Sequence, residues 1–187
     1  MRLHKPTEAE IPLLIDAWRA SIAQASTNQH YQSLKLAEME GNPIGYLASL
    51  DDLTGGGELE LEDGTKVQRL PSITRYVWSE GLPVSVISLR WQPGTEELPK
   101  HVLGHIGYET FPWAQGKGFA TFALSEMLKI AKNQGLSYVE ITTNIDNVKS
   151  QKVIEKGGGV FVEEFTKPET SGGGLGRRYR VLLEGGI

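Results

Sequence analysis

Residues 104–121 read GHIGYETFPWAQGKGFAT, and the fold prediction depends mainly on this stretch. It begins as an apolar segment typical of a buried strand, which Pro112 closes. Gly116 and Gly118 then open directly into a segment whose apolar residues recur at helical spacing, with Gly135 placed to end it. The pattern predicts a strand that turns sharply into an amphipathic helix.

The turn at Gly116 and Gly118 has the chemistry of an anion site. Glycines accept positive φ angles and let the backbone approach a ligand closely. The first helical turn leaves N–H groups unpaired at the positive end of the helix dipole, which suits phosphate or pyrophosphate. A tight strand-to-helix joint is the alternative explanation. The segment is not a Walker A loop, and Thr121 stands where a G-x-G-x-x-G motif needs its last glycine.

Around this turn, the pattern predicts alternating strands and helices. Upstream, strands at 74–79, 84–91 and 102–111 form an antiparallel meander. Downstream come a helix over 116–134, a strand over 137–143, a helix over 147–156 capped by Asp146, and strands over 160–165 and 179–183. This order predicts an α/β protein whose sheet is partly antiparallel.

The N-terminal part has a weaker pattern. A short strand at 2–4 is followed by Thr7 and Glu10, which are spaced as at a helix start, and this helix is expected to reach Ala25. A second helix is predicted around 31–39. Residues 51–72 are polar and rich in glycine, which predicts a long connection with a candidate hairpin turn at Asp63-Gly64.

Composition narrows the function classes. The chain has 187 residues, 39% of them hydrophobic, and a net charge of -4, so one domain without a basic field for nucleic acid is expected. The absence of cysteine excludes disulfides, thiolate metal sites and an acyl-cysteine intermediate. The four histidines lack metal-ligand spacing, so no metal is predicted. No signal-peptide core and no run of about 20 apolar residues occurs, which predicts a cytoplasmic protein with no membrane partner.

Two segments carry a resemblance to a known family. QGKGFA at 115–120 resembles the signature Q/R-x-x-G-x-G/A of the GNAT superfamily of N-acetyltransferases. NVKSQKVIEKGG at 147–158 is similar to the next helix of that family, and Arg178-Tyr179 fits one branch of it. The resemblance implies a GNAT-type α/β (α+β) fold, with a mixed, largely antiparallel twisted sheet and helices on both faces. It also implies a single domain over 1–187, with a variable part at 1–73 and an acetyl-CoA-binding core at 84–165.

The same resemblance implies acetyl-CoA as co-substrate. Its pyrophosphate is expected on the amides of 117–121, and its pantetheine arm along the strand before the turn, paired like an added strand. The implied coenzyme-binding residues are Ile106, Gly107, Tyr108, Gln115, Gly116, Lys117, Gly118, Phe119, Ala120, Thr121, Asn144, Asn147 and Ser150. Asn147 also suits a helix cap, and Ser150 also suits an exposed helix position.

Glu109 is the candidate general base. Strand alternation places His105, Gly107 and Glu109 on one face, with Ile106 and Tyr108 on the other. Burial would raise the pKa of the Glu109 carboxyl, and an ion-paired strand carboxylate is the alternative. His105 is the rival base, although a buried histidine bonded to the backbone is the commoner arrangement.

The remaining catalytic candidates concern the thioester. A backbone N–H on the Tyr108 strand is expected to stabilise the thioester oxygen as it becomes negative. Many GNAT enzymes use a tyrosine as general acid at the position that Ile154 holds here. Tyr138, Tyr179, another group or water is therefore left to protonate the thiolate, unless this branch needs no acid.

The predicted function is direct transfer of an acetyl group from acetyl-CoA to a primary amine of a small-molecule or peptide acceptor. The alternatives are a catalytically silent acyl-CoA-binding sensor or interaction module, and a phosphate-binding protein for another nucleotide. The acidic run at 58–63 either attracts a cationic acceptor or is a solvated loop. A homodimer is expected from family habit.

Overall fold

The computed structural model describes residues 1–24, 29–60 and 64–183. Its helices and strands, in chain order, are β1 (Arg2–His4), α1 (Ile11–Gln24), α2 (Gln29–Gly41), α3 (Pro43–Ser49), β2 (Asp51–Asp52), β3 (Glu58–Glu60), β4 (Lys66–Gln68), β5 (Ser72–Ser79), β6 (Leu82–Arg90), β7 (Ile106–Thr110), α4 (Phe119–Asn133), β8 (Tyr138–Asn144), α5 (Val148–Lys156), β9 (Val160–Thr166) and β10 (Leu175–Leu182). Short 3₁₀ turns precede α1 and α4. None of the described helices is both long and apolar enough to cross a bilayer.

The N-terminal helices begin where side chains can satisfy free amides. The Thr7 amide donates to the Glu10 carboxylate at 2.9 Å, which confirms the predicted helix start, although one 3₁₀ turn precedes α1. The predicted end at Ala25 lies outside the described residues. Helix α2 confirms the predicted second helix, and α3 was not predicted. Its start is fixed by Asn42, whose Oδ1 accepts from the Gly45 amide at 2.9 Å, and by Pro43 at the first helical position.

The larger sheet confirms the predicted meander. Its strands lie in the order β1-β5-β6-β7, with β2 also paired to β5, and every pairing is antiparallel. Strand β7 is shorter than the predicted span of 102–111. The reason is a turn before it, in which the Val102 amide donates to the Pro99 carbonyl at 2.8 Å. Residues 51–72 are not a plain connection, because β3 and β4 pair as a hairpin. Its predicted turn at Asp63 lies outside the described residues.

The smaller sheet has the order β8-β10-β9, again antiparallel. Helix α5 links two of its strands. Its cap is Asn147, whose Oδ1 accepts from the Ser150 amide at 3.1 Å, and the prediction that Asp146 caps it was wrong. Both residue types cap well, so the backbone course decides between two neighbours.

Two apolar cores lie on opposite faces of the larger sheet, so the fold has helices on both faces, as predicted. One core packs α4 and α5 against both sheets and includes Ile87, Ile106, Met127 and Ile154. The other packs α1 to α3 against the opposite face through Leu14, Trp18, Tyr46, Tyr76 and Phe111. Strand β7 therefore lies between a helix pair on one side and the N-terminal helices on the other.

Candidate functional site

Strands β7 and β8 meet at one end and then separate. At the meeting point the His105 amide donates to the Glu140 carbonyl at 2.7 Å. Gly104 lies so close to β8 that an added Cβ would be 3.0 Å from the same carbonyl oxygen. Beyond this point β7 pairs only with β6, and β8 pairs only with β10, among the described residues. A gap between the two sheets follows, with β7 at its edge.

Ion pairs reinforce the closed end of this gap. Arg178 Nη1 donates to the Glu140 carboxylate at 2.8 Å and to the Leu103 carbonyl at 2.9 Å. Arg180 Nη2 donates to the other Glu140 oxygen at 2.7 Å. Burial opposes the ionisation of Glu140, but the two guanidinium groups outweigh it and lower the pKa of this carboxyl. Glu140 therefore stays charged and holds Arg178 of the same sheet in place, and the Arg178 bond to Leu103 joins this sheet to the segment before β7.

The free edge of β7 presents unpaired main-chain groups to the gap. Arg90 donates its amide to the His105 carbonyl at 2.8 Å, and Phe111 donates its amide to the Val84 carbonyl at 3.1 Å. In an antiparallel ladder hydrogen-bonded pairs alternate with non-bonded pairs, so the main-chain groups of Ile106 and Tyr108 point away from β6. An extended amide-containing molecule can pair with this edge as an added strand.

The glycine turn lies at the N-terminus of α4. Gly116 and Gly118 have φ angles of 76° and 84°, which L-residues rarely adopt. A Cβ built on either one would have no described heavy atom within 4 Å, so the space above the turn is open. The first intrahelical bond runs from Phe122 to the Gly118 carbonyl, and the amides of 119–121 have no intrahelical acceptor. The geometry fits a diphosphate.

The other predicted coenzyme residues lie around the same gap. Gln115 and Lys117 are exposed at the turn, and Phe119, Ala120 and Thr121 form the first turn of α4. Asn144 ends β8 and is exposed. On α5 the Ser150 Oγ is 2.7 Å from the Tyr108 hydroxyl, which joins the helix to β7. Asn147 uses its Oδ1 to cap α5, so only its carboxamide nitrogen can reach a ligand.

A cavity of about 690 Å³ lies on the opposite face of β7, between the larger sheet and the N-terminal helices. Its volume falls in the range of small-molecule sites. Its floor is formed by residues of β5, β6 and β7, and its walls by residues of α2, α3 and the segment around β2 to β4. The floor residues are Ser72, Thr74, Tyr76, Val86, Ser88, Arg90, Gly107, Tyr108 and Glu109.

Glu109 faces this cavity from the strand that borders the gap, as the alternation predicted. Its carboxylate accepts a hydrogen bond from Gln32 Nε2 on α2. Burial raises the pKa of the Glu109 carboxyl, and the Gln32 hydrogen bond opposes that rise. A half-buried carboxyl with a raised pKa, open to a cavity beside a strand edge, has the properties of a general base.

His105 lies in a different environment. It is 1% exposed, its Nδ1 accepts from the Glu140 amide at 2.9 Å, and its Nε2 donates to the Glu96 carbonyl at 3.1 Å. Desolvation lowers the pKa of the imidazole, against the hydrogen bond to Glu96. Both ring nitrogens are used by the backbone, which favours a structural role at the closed end of the gap.

The candidate proton donors for the leaving thiolate lie in different surroundings. Ile154 is fully buried in the core. Tyr179 is 2% exposed, and Tyr138 packs under the Arg180 guanidinium at 4.2 Å, away from the β7 edge. Burial raises the pKa of the Tyr108 phenol, and Ser150 opposes the rise. The Tyr108–Ser150 pair therefore places two hydroxyls between β7 and α5.

Sequence reasoning missed the residues that α2 and α3 bring to the site. Gln32 reaches Glu109 from 77 positions away in the chain, and nothing in its local pattern distinguishes it from a surface glutamine. Its 3% exposure is visible only in the folded chain. No group of three or more acidic or histidine side chains in 1–24, 29–60 and 64–183 is placed to hold a metal ion.

Comparison with known proteins gives one family and many similar folds. A family model described as an acetyltransferase (GNAT) domain matches residues 67–160. The microcin C7 self-immunity acetyltransferase MccE, solved with acetyl-CoA and AMP, has a TM-score of 0.63 at 15% identity, over 96% of this chain and 91% of that one. Curated protein sequences give no significant match.

Two further solved structures have the same fold. An acetyltransferase from Salmonella typhimurium that modifies the N-terminal serine of a 50S ribosomal subunit protein has a TM-score of 0.62 at 14% identity, over 97% of this chain and 94% of that one. A spermidine N-acetyltransferase chimera from Vibrio cholerae and hSSAT has a TM-score of 0.56 at 12% identity, over 98% and 97%. At these identities the likeness concerns the fold.

Proposed function

Because the chain belongs to the GNAT acetyltransferase family, we propose that it transfers an acetyl group from acetyl-CoA to a primary amine of a small-molecule or peptide acceptor. The observation that carries the proposal is the gap between β7 and β8, which runs from the glycine turn of α4 past Glu109. One end of this gap suits a diphosphate, its edge suits an amide-containing arm, and a cavity opens across the strand.

The coenzyme is assigned to the gap. Its pyrophosphate would accept hydrogen bonds from the amides at 117–121, helped by the dipole of α4. The pantetheine amides would pair with the main-chain groups of Ile106 and Tyr108 at the β7 edge. Gln115, Asn144 and the Asn147 carboxamide nitrogen border the same gap. The thioester would then lie near Ser150, with the acceptor cavity on the other side of the strand.

An ammonium acceptor loses two protons when it becomes an amide: one before the nitrogen attacks, and one from the tetrahedral intermediate. One proton must also reach the leaving thiolate. An alkyl ammonium of the lysine type has a pKa of about 10.4, so a base must deprotonate it at neutral pH. Glu109 takes that proton. The amine nitrogen then attacks the thioester carbon, the Tyr108 amide stabilises the oxygen, the C–S bond breaks, and the coenzyme leaves as a thiolate. Since the chain has no cysteine, transfer is direct.

Protonation of the leaving thiolate is assigned to the hydroxyl pair of Tyr108 and Ser150. The two hydroxyls lie 2.7 Å apart between β7 and α5. Tyr108 passes a proton to sulfur, and the second proton of the acceptor nitrogen restores the phenol. The raised phenol pKa makes Tyr108 a weaker acid than an ordinary tyrosine. A thiol with a pKa of about 8.5 is mostly protonated at neutral pH, so the thiolate takes up a proton from a positioned hydroxyl or from water.

The acceptor class follows from the cavity. Its volume of about 690 Å³ accommodates a small molecule or the end of a peptide. The charged residues around it carry both signs, so size and an amine group define the class better than net charge does. The substrates of two similar folds, an N-terminal serine and spermidine, are both amines and support this class.

The test is an acetyl-transfer screen with the purified protein. Acetyl-CoA is mixed with a panel of amino acids, polyamines, aminoglycosides and peptides, and release of free thiol is followed with a thiol reagent. Amine-dependent thiol release, absent with Glu109→Gln, is expected. Release that no member of the panel stimulates would contradict the assignment as an N-acetyltransferase.

A second function is favoured by one observation. Ile154 is fully buried where many family members carry a catalytic tyrosine, which suits a domain that binds acyl-CoA without turnover. Calorimetry with coenzyme A separates the two functions. Tight binding without amine-dependent thiol release would favour a sensor or interaction module, and binding together with release would favour the enzyme.

A further inference from the structure

Gln32 contains a buried hydrogen-bond acceptor without a partner. The side chain is 3% exposed and projects from α2 toward β7. Its Nε2 donates to Glu109 Oε1, while its own Oε1 is buried and has no hydrogen-bond partner among the described residues. A carboxamide has two donors and a strong acceptor, so this residue meets only part of its bonding capacity.

Such an arrangement has an energetic cost. Leaving a buried acceptor unsatisfied costs about 1–3 kcal/mol relative to a paired one. An apolar side chain of similar length, such as methionine, would avoid the cost if the position served packing alone. The carboxamide is therefore expected to have a partner in another state of the site, and the adjacent group that changes state is Glu109.

We propose that Gln32 is a positioning residue that binds the Glu109 carboxyl group in both of its protonation states. With Glu109 ionised, Gln32 Nε2 donates to the carboxylate, as observed. When Glu109 takes the proton of the acceptor amine, its new O–H needs an acceptor. A rotation of the carboxamide by about 180° about its last torsion presents Oε1 to that O–H. The inference rests on the proposed function only in taking Glu109 as the base.

Several charged groups face the same cavity as Glu109, and Gln32 is the residue observed to bind its carboxyl group. The charged groups that face the same cavity are Lys35 and Glu38 from α2, Asp51 and Asp52 from β2, Arg69 after β4, and Arg90 from β6. Lys35 and Glu38 pair with each other at 3.0 Å, and Asp51 binds Lys5 and Arg75. Burial raises the pKa of the Glu109 carboxyl, and the hydrogen bond from Gln32 opposes that rise.

The first test observes the side chains directly, in the full-length protein without any substrate. The Gln32 side-chain amide is followed by ¹H–¹⁵N NMR through a pH titration, and Glu109 is followed through its carboxyl carbon, assigned with Glu109→Gln. The Gln32 amide resonances should shift with the same midpoint as the Glu109 carbon. Resonances that stay constant through the Glu109 titration would overturn the proposal, and this measurement needs no variant at Gln32.

The second test uses Gln32→Met, with Gln29→Met as the matched control. Gln29 lies on the same helix but is exposed. The hydrogen bond to the ionised carboxylate is stronger than the one to the neutral acid, so losing both should lower the acid dissociation constant of Glu109 about tenfold in Gln32→Met. The constant should stay unchanged in Gln29→Met. An unchanged constant in both variants would refute the proposal.

Kinetics separate this inference from the proposed function. In an active protein, Gln32→Met should move the acidic limb of the kcat profile to higher pH by the same factor, with little change in KM. Activity with an unmoved limb would reject the role of Gln32 and leave the acetyltransferase assignment intact. A protein without acetyl transfer would reject the proposed function, while the NMR midpoints still decide whether Gln32 follows the Glu109 proton.

Discussion

Replacing Gly118 by tryptophan should weaken coenzyme A binding about 100-fold while the fold is retained. Gly118 has a φ angle of 84° and an open space where a side chain would begin. A substituent there occupies the place assigned to the pyrophosphate. The chain supplies a matched control in Gly135, at the other end of α4, with the same φ of 84° and the same open surroundings.

The magnitude follows from these two environments. A left-handed conformation costs an L-residue about 1–2 kcal/mol, so both substitutions should destabilise the protein equally. For a domain of this size that loss lowers Tm by about 2–8 °C. Only Gly118→Trp should also remove amide–phosphate hydrogen bonds. Each of these contributes about 1.5–3 kcal/mol, so loss of one weakens coenzyme A binding roughly 10- to 150-fold.

The assay is thermal unfolding with and without coenzyme A, supported by calorimetry. At a ligand concentration 100 times the wild-type Kd, binding adds about 2.7 kcal/mol of stability to the wild type and to Gly135→Trp. If Kd is 100-fold weaker, the same concentration adds only about 0.4 kcal/mol to Gly118→Trp. Equal ligand-induced stabilisation of the two variants would refute the assignment of the pyrophosphate to this turn.

Four further predictions concern three variants, in or directly before the strand that borders the gap. Burial raises the pKa of Glu109 in the folded state, so the native protein holds this proton more tightly and loses stability as the pH rises above the unfolded pKa. Glu109→Gln should therefore increase the urea midpoint of unfolding at neutral pH, but not in acid below both pKa values. The same variant should lower kcat most at low pH, and an unchanged pH–rate profile would remove Glu109 from the mechanism. If the hydroxyl pair with Ser150 protonates the thiolate, Tyr108→Phe should lower kcat by about 100-fold with little change in KM. A kcat equal to that of the wild type would assign this proton to water. His105→Ala should cost about 1–3 kcal/mol in urea unfolding, because it orphans the Glu140 amide, yet keep the kcat pH profile of the wild type; loss of the acidic limb would instead identify His105 as the base.

The central part of the fold could be predicted from the sequence because its signals are local. The meander follows from apolar alternation between turn residues, and α4 follows from a 3.6-residue period that ends at Gly135. Helix α3 was missed because seven residues are too few for a period to emerge. Its signal lay instead in the Asn42-Pro43 pair, a cap followed by proline at the first helical position.

The candidate site divides in the same way. The glycine turn and the face of Glu109 could be predicted, since both depend on neighbours along one segment. The contact between Gln32 and Glu109 and the acceptor cavity could not, because they depend on how α2 packs across the sheet. The ambiguity between Asp146 and Asn147 had a different cause, since only the path of the backbone selects one of two equivalent capping residues.

The separation of β7 from β8 has a consequence for how the proposed coenzyme would bind. Among the described residues β7 has no neighbour on its outer edge, and the pantetheine arm of the proposed co-substrate carries amides that would pair there. In each turnover the coenzyme would fill this strand position on binding and vacate it on release. We expect the Ile106 and Tyr108 amides to exchange with deuterium far more slowly when the coenzyme is bound.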